Sequence, residues 1–493
     1  MNGVFGLKRI HARNTSWFRP SLQMMAVGLV LSLGLSACTV GPGIDYEDQV
    51  RIGAENHPKI IAKYGGVYGD ARVKAYVEAI MDRISKASDK PDQRYRITVL
   101  DTPIVNAFAL PGGYTYVTRG LLALANSEAE LAGVIGHEIA HVTAQHSAKR
   151  QSTAQGAAVL ATILGAAIEA NSGVNSRVTN DVIRLGGGAL LAGYSREQEY
   201  EADNLGIQAL ARAGYTPHAQ ADFLESLGRY SAYAAGTKVR TNSGWFDSHP
   251  NTKDRVAKAH EKAEARKQPN STEVGVARYL SVVDGLLYGD GVEQGVVKDR
   301  SFAHPELRIQ FKVPSGFDIT NEANRVIARH ASQITIIFDL AETPKGLGLK
   351  EYVADIWAPT GHVGGVKTTR IKGRAAAMGK VKTDTGTAHL LAIAYEDQKV
   401  FRFGVLAPTG QQANAEAAFS SLRANIKFLS QAAAKAIKPQ RVTVITVQRG
   451  DTVASLAAMM QSSGNKKALF LVLNGLKEGD IVEPGQRLKL ITS

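Results

Sequence analysis

Apolar residues recur at helical spacing in several stretches of the chain, most densely over Ser127–Arg150. There Leu131, Ile135, Ile139 and Val142 form one stripe, and Val134 with the alanines carries the apolar surface almost all round, which predicts one buried helix. Ser127 and Glu130 fit a capping box at its start. Amphipathic helices are predicted over Glu47–Lys63, where Pro58 interrupts the pattern, and over Ala71–Ala87. Tyr95–Leu100 alternates as a strand, and Asn106–Val117 as a hairpin turning at Pro111-Gly112-Gly113. Ser195 with Gln198 opens another helix, stopped by Gly214 and Pro217. Gln155–Gly193 is rich in Ala, Gly and Leu, but its apolar run Ala157–Ala170 is interrupted by Thr162 and Glu169 and is too short to span a bilayer.

Glu264–Glu273 is polar and reads as a linker. Beyond it the pattern changes. Leu307–Val313, Ile334–Leu340, Thr385–Tyr395 and Val400–Leu406 read as strands, and Leu349–Trp357 and Ala413–Ile426 as helices. These make one α+β domain over 275–430 without catalytic or metal-ligand spacing. A second linker is expected at 431–440. The tail 441–493 has an apolar opening at Val442–Val447, then Arg449-Gly450-Asp451-Thr452, a helix, Leu473-Asn474-Gly475 and Pro484–Leu490.

The length of 493 residues fits several domains, and 44% hydrophobic with 21% charged residues is ordinary globular composition. The net charge of +13 suits an anionic partner such as a membrane leaflet or a cell-wall polymer, but no nucleic-acid module is present. Lys8, Arg9, Arg13 and Arg19 precede the apolar run Met24–Leu35 and the small residues Ser36-Ala37, the order of a secretory signal. The single cysteine, Cys38, excludes an intramolecular disulfide.

The buried helix carries His137, Glu138 and His141. This is H-E-x-x-H: two imidazoles four apart on one face can grip one zinc ion, and the neighbouring glutamate can take a proton from water. Two packed core histidines are the structural alternative, costly in burial unless every polar atom is bonded. A close third ligand is missing. Ala144 and Ser147 stand where the metzincin pattern needs Gly and His, and no acid occurs between Val142 and Ile168. His146 lies roughly 140° round a helix from His141, a surface or supporting position. The next candidates are Glu199 and Asp203, four apart; one carboxylate can bind the metal and the other hold a ligand imidazole from behind. Glu197 and Glu201 are expected in solvent.

Three segments together, His137–His141, Ser195–Asp203 (SREQEYEAD) and Ser248–Arg255 (SHPNTKDR), resemble the zinc metalloendopeptidases of the CaaX-prenyl-protease and HtpX type in their soluble periplasmic branch. Asn106–Gly113 (NAFALPGG) resembles the same family. The resemblance covers 47–270 and implies a mainly α-helical, gluzincin-type zinc peptidase domain with a small β-hairpin. It implies one Zn2+ per chain on His137, His141 and Glu199, with Asp203 behind a ligand. It implies Glu138 as general base and His249 in the active site, polarising the oxyanion or capping the metal. Arg196 and Arg255 become structural ion-pair partners, and 155–193 a flap over the cleft or a packed hairpin. The hairpin strand with Asn106, Phe108 and Leu110 would pair with an extended peptide, or be purely structural. The relatives carry helical repeats of about 34 residues after the peptidase, and none is found here.

Leu35-Ser36-Ala37-Cys38 resembles a bacterial lipobox. It implies that 1–37 is a signal peptide, that Cys38 is lipidated, and that 38–46 tethers the protein to the outer membrane, facing the periplasm. The tail resembles a LysM domain, a βααβ fold that binds peptidoglycan. The expectation is therefore a multidomain, lipid-anchored zinc endopeptidase that cuts unfolded or misassembled envelope proteins. The rivals are a peptidoglycan-associated hydrolase, and a non-catalytic binding or chaperone lipoprotein whose metal site is closed by His249.

Overall fold

The structure, a computed structural model, describes residues 45–147, 193–236, 245, 249 and 253–493 apart from 323, 358–362, 384, 397 and 463. The expected signal, Cys38, nearly all of the tether and the stretch 155–192 lie outside the described residues. Among the described residues, no helix is long and apolar enough to cross a membrane.

The first part is helical around one small sheet. Helix α1 (Tyr46–Lys63) runs unbroken through Pro58, against the sequence expectation. Packing holds it there: Gly53 lies so close to the hairpin turn that an added Cβ would sit 2.4 Å from the Pro111 carbonyl oxygen. Helix α2 (Ala71–Ala87) follows, capped by Asp70. Strands β1 (Arg96–Leu100), β2 (Ala107–Leu110) and β3 (Tyr114–Thr118) form a sheet in the order β1-β3-β2, leaving β2 at an edge. Gly113 makes the turn possible, with φ +82° and no room for a side chain against the Arg94 carbonyl.

After α3 (Arg119–Leu124) comes the central helix α4 (Glu128–Thr143), buried along its whole length. The Ser127 side chain accepts from the Glu130 N–H, but Glu130 turns its own carboxylate to the Asn126 N–H, so only half of the expected capping box forms. The helix ends at Thr143 rather than running to Arg150, because Gln145 takes a left-handed φ of 57°. Against it pack α5 (Arg196–Arg212), whose Ser195–Gln198 capping box is complete, and α6 (His218–Gly236); α7 (Lys253–Arg266) packs on α5 and α6. The polar stretch after α7 is no free linker: Glu273 bonds with Arg83 and Arg278, and Arg278 also grips the buried Glu128. Glu128 accepts as well from the hydroxyls of Tyr76 and Tyr215, each at 2.6 Å.

Helix α8 (Val276–Val283) and β4 (Leu287–Tyr288) lead into a sheet-rich region. Strands β5 (Val296–Lys298), β6 (Ser301–His304) and β7 (Ile309–Lys312) are followed by β8 (Phe317–Glu322), β9 (Arg325–His330) and β10 (Thr335–Glu342). Helix α9 (Leu349–Glu351) runs into a π-turn at Tyr352–Ile356. Strands β11 (Val363–Ile371), β12 (Arg374–Thr383), β13 (Gly386–Ala394) and β14 (Lys399–Pro408), helix α10 (Gln412–Ala424) and β15 (Lys427–Phe428) complete it. A seven-stranded antiparallel sheet, β11-β12-β13-β14-β10-β9-β8, accompanies a four-stranded one, β15-β7-β6-β5. Phe302, Phe311, Phe338, Phe401 and Phe403 share one core, and Tyr352 and Val353 join Leu390 and Val400 in another. The four strands expected from sequence are β7, β10, β13 and β14. Most of the others are short, and β11 is largely exposed, so they show no apolar alternation.

Residues 431–440 hold a helical turn, α11 (Gln431–Lys435), and the first residue of β16 (Gln440–Thr446). With α12 (Val453–Met459), α13 (Lys466–Leu473) and β17 (Arg487–Thr492) the tail has the expected βααβ order. It is not separate from the first, helical part. Strand β4 adds to its sheet in the order β17-β16-β4, and Val442, Phe470 and Leu490 share one core with Ile135 and Leu224. Lys489, fully buried, donates to the carbonyls of Ala123, Leu124 and Ala125 at 2.8, 3.2 and 2.7 Å.

Candidate metal centre

Two helices approach closely enough to face their polar residues at one point. Gly136 on α4 lies against Gly206 on α5, where an added Cβ would stand 3.0 Å from the His137 backbone nitrogen. This contact sets His137 and His141 opposite Glu199 and Asp203. Helical spacing puts each pair on one face of its own helix.

Four buried side chains, His137, His141, Glu199 and His249, each bring one donor atom to within 4.8 Å of the others. His137 Nε2 stands 3.0 Å from His141 Nε2 and 3.3 Å from His249 Nδ1. Glu199 Oε1 is 2.9 Å from His249 Nδ1 and 3.5 Å from His141 Nε2. Donors held at about 2.0–2.2 Å in a zinc tetrahedron stand about 3.3–3.6 Å apart, and the cluster matches that scale. Its nitrogen and carboxylate donors suit zinc, and like-sized divalent ions with the same tastes.

The surroundings orient each donor. Asp203 Oδ1 lies 2.9 Å from His137 Nδ1, so Nε2 of that ring faces the cluster. Arg255, 1% exposed, donates to Asp203 through Nε and Nη2 at 2.5 and 2.8 Å and pairs with Glu199 Oε2 at 2.5 Å. Gln220 donates to Asp203 at 2.8 Å. Burial alone would push Asp203 up; the Arg255 guanidinium overrides it and holds the carboxyl well below its usual range. Burial likewise opposes ionisation of Glu199, but His249, then His137 and Arg255, hold it low. His141 is held neutral by burial and by the neighbouring histidines.

Glu138 differs from both. It is fully buried, and among the described residues neither carboxylate oxygen has a hydrogen-bond partner; His249 Nε2 stands 3.5 Å from Oε1. Burial, reinforced by Glu199, pushes it up to about 8. A carboxylate left without donors beside four converging ligand atoms fits a site built around a cation.

Residues 71–263 match the model of the family described as Peptidase family M48. That stretch of the chain is thus similar to the M48 peptidases. Residues 445–490 match the LysM domain. The chain is 26% identical over 220 residues to the mitochondrial metalloendopeptidase OMA1 of Schizosaccharomyces pombe, covering 44% of this chain and 61% of that protein. It is 28% identical over 204 residues to the beta-barrel assembly-enhancing protease of Escherichia coli, covering 39% of each. It is 33% identical over 156 residues to the metalloprotease YcaL of Escherichia coli, covering 31% of this chain and 57% of that one. The chain thus spans less than two thirds of these relatives' lengths.

All six candidates from His137 to His249 fall inside the matched segment 71–263, and the structure brings them together. Asn106, Phe108 and Leu110 are buried; Phe108 stacks on Tyr116 at 4.8 Å between centroids, and Leu110 lines a small pocket together with His141. Strand β2 is last in the order of its sheet, yet all four of its residues are buried. Glu201 is half exposed as expected, yet it reaches His146 at 3.2 Å. Sequence reasoning missed the aromatic walls of the site. Tyr194 stacks on His141 at 3.6 Å, and Trp245 on His249 at 4.3 Å. Neither residue sits in a helical or strand pattern that points to the cluster. The Trp245 N–H bonds to the Val105 carbonyl, and the His249 N–H to the Trp245 carbonyl, which fixes His249 over the site.

Proposed function

We propose that the protein is a zinc-dependent endopeptidase, anchored by lipid on Cys38 at the outer membrane and facing the periplasm, that hydrolyses peptide bonds of misfolded or misassembled envelope proteins. The observation that carries the reading is the buried carboxylate of Glu138 beside the converging donors of His137, His141, Glu199 and His249. The likeness to the beta-barrel assembly-enhancing protease supports the envelope setting, and the basic, apolar and cysteine-ended start of the chain supports the anchor.

In this reading His137, His141 and Glu199 hold the ion, and Asp203 keeps the His137 ring turned toward it. When bound, zinc supplies a Lewis acid for the scissile carbonyl and lowers the pKa of the attacking water toward about 7. Glu138 takes the proton of that water and passes it to the leaving amine. The burial of Glu138 suits this cycle, because a raised pKa lets one carboxylate both accept and release a proton near neutrality. Strand β2, last in the order of its sheet, is the element on which an extended peptide would add its main chain.

A second reading has its own observation. His249 Nδ1 lies among the other donors, so His249 can close the site as a fourth ligand. The two readings separate in one assay. The full chain is incubated with an unfolded protein, with and without chelator, beside Glu138→Gln and His249→Ala. Chelator-sensitive cleavage that falls about 10²–10⁴-fold in Glu138→Gln supports the peptidase. Cleavage only by His249→Ala assigns a closed site. Cleavage by neither, in zinc-loaded folded protein, refutes the peptidase. The LysM match supports glycan binding by the tail. Co-sedimentation with insoluble peptidoglycan tests it, and release of soluble fragments would instead favour a cell-wall hydrolase.

A further inference from the structure

The two H-E-x-x-H histidines are supported differently. His137 rests directly on a carboxylate, Asp203, which Arg255 clamps inside the core. His141 does not. Its Nδ1 stands 2.8 Å from Nδ1 of His146, and His146 Nε2 stands 3.2 Å from Glu201 Oε2. His146 is buried, and the left-handed Gln145 is what folds it back behind His141 once α4 has ended. It is not among the residues that converge on the centre.

We infer that His146 is a positioning residue for the metal centre, the middle member of a relay from Glu201 through His146 to His141. This rests on the reading of His141 as a metal ligand. The proton count leaves one arrangement. A ligand imidazole offers the Nε2 lone pair, so His141 carries its proton on Nδ1 and donates it to His146 Nδ1. His146 then carries its own proton on Nε2 and donates it to Glu201. A carboxylate on α5 thereby sets the tautomer of a ligand on α4 through an intervening ring, and the negative charge at the far end raises the basicity of His141 toward the ion. Because Glu201 is half exposed where Asp203 is buried, this second support opens to solvent while the first does not.

The test measures the Zn2+ dissociation constant of the full chain by competition with a chromophoric chelator. The Co2+ visible spectrum serves as a second readout. His146→Ala removes the acceptor and is expected to weaken Zn2+ binding about 10–100-fold. His146→Asn keeps an oxygen near the Nδ1 position and is expected to recover most of that loss. Glu201→Gln keeps an acceptor without the charge, and is expected to weaken binding by a few-fold and shift the Co2+ bands. Recovery by Asn is the outcome that a packing role would not produce. Equal affinities and spectra in wild type, His146→Asn, His146→Ala and Glu201→Gln overturn the relay. Equal losses in His146→Asn and His146→Ala, with Glu201→Gln unchanged, also overturn it. If His146→Ala fails to fold, His146→Asn and Glu201→Gln decide: unchanged Zn2+ affinity and Co2+ spectra in both overturn the relay. Wild type that binds no Zn2+ overturns the metal-site reading, a result distinct from binding that the variants leave unaltered.

Discussion

Replacing Arg255 by Met tests the frame of the site more sharply than replacing any candidate ligand. The guanidinium is 1% exposed and holds two carboxylates that are themselves 4% and 1% exposed, Asp203 and Glu199. It meets these carboxylates directly, at 2.5 and 2.8 Å for Asp203 and 2.5 Å for Glu199. Methionine matches the aliphatic stem but strands both charges in the core. Removing one partner of a buried ion pair costs about 3–5 kcal/mol, because the other keeps its desolvation penalty without the attraction that offset it. The assay is denaturant unfolding of chelator-treated protein near neutral pH, with the midpoint shift converted through the slope. Chelator matters because a bound cation would itself neutralise Glu199. The double variant Arg255→Met with Asp203→Asn removes one stranded charge, so it should recover at least about 1 kcal/mol of the loss. A single-variant loss below about 1 kcal/mol, or a double variant no better than the single, would refute the assignment of Arg255 as the clamp.

Two further expectations follow from the same geometry. Glu128 is pushed up by burial, but Arg278, Tyr215 and Tyr76 together hold its carboxyl below the usual range. A carboxyl depressed in the folded state contributes stability that is complete above the unfolded value of about 4.5 and lost as pH falls through the folded one. Glu128→Gln should therefore be less stable at neutral pH and show a shallower loss below about pH 4.5, read from thermal unfolding against pH; parallel profiles would count against it. Deleting 441–493 should not yield a trimmed, stable peptidase. Removal strips Val442, Phe470 and Leu490 from the shared core and leaves the carbonyls of Ala123, Leu124 and Ala125 without the Lys489 ammonium. The expected result is loss of the cooperative thermal transition or aggregation, and a deletion that melts like the full chain would refute the integration of the tail.

Local spacing was enough to write down half of the candidate centre. His137 with His141, and Glu199 with Asp203, are legible because residues four apart share a helix face whatever the helix later packs against. Ser127 and Ser195 mark helix starts for the same local reason: a side-chain oxygen meets N–H groups two or three residues away. Tertiary structure decided the rest. His249 enters the centre through the backbone of Trp245 and Val105, over a hundred positions from the ligand helix. His146 reaches His141 only because Gln145 breaks the helix that periodicity would have continued, and on a continued helix the two rings would diverge. The polar stretch near Glu273 looks like a linker because its charges resemble a solvated face; their partners, Arg83 and Glu128, arrive from other elements. Lys489 reads as a surface lysine in a strand, and only the docking of the tail on α3 converts it into a buried cap on three carbonyls. Sequence determines what lies within a turn or two of a residue, because those distances follow from backbone geometry. Which distant side chain completes a charge or a coordination shell is set by packing.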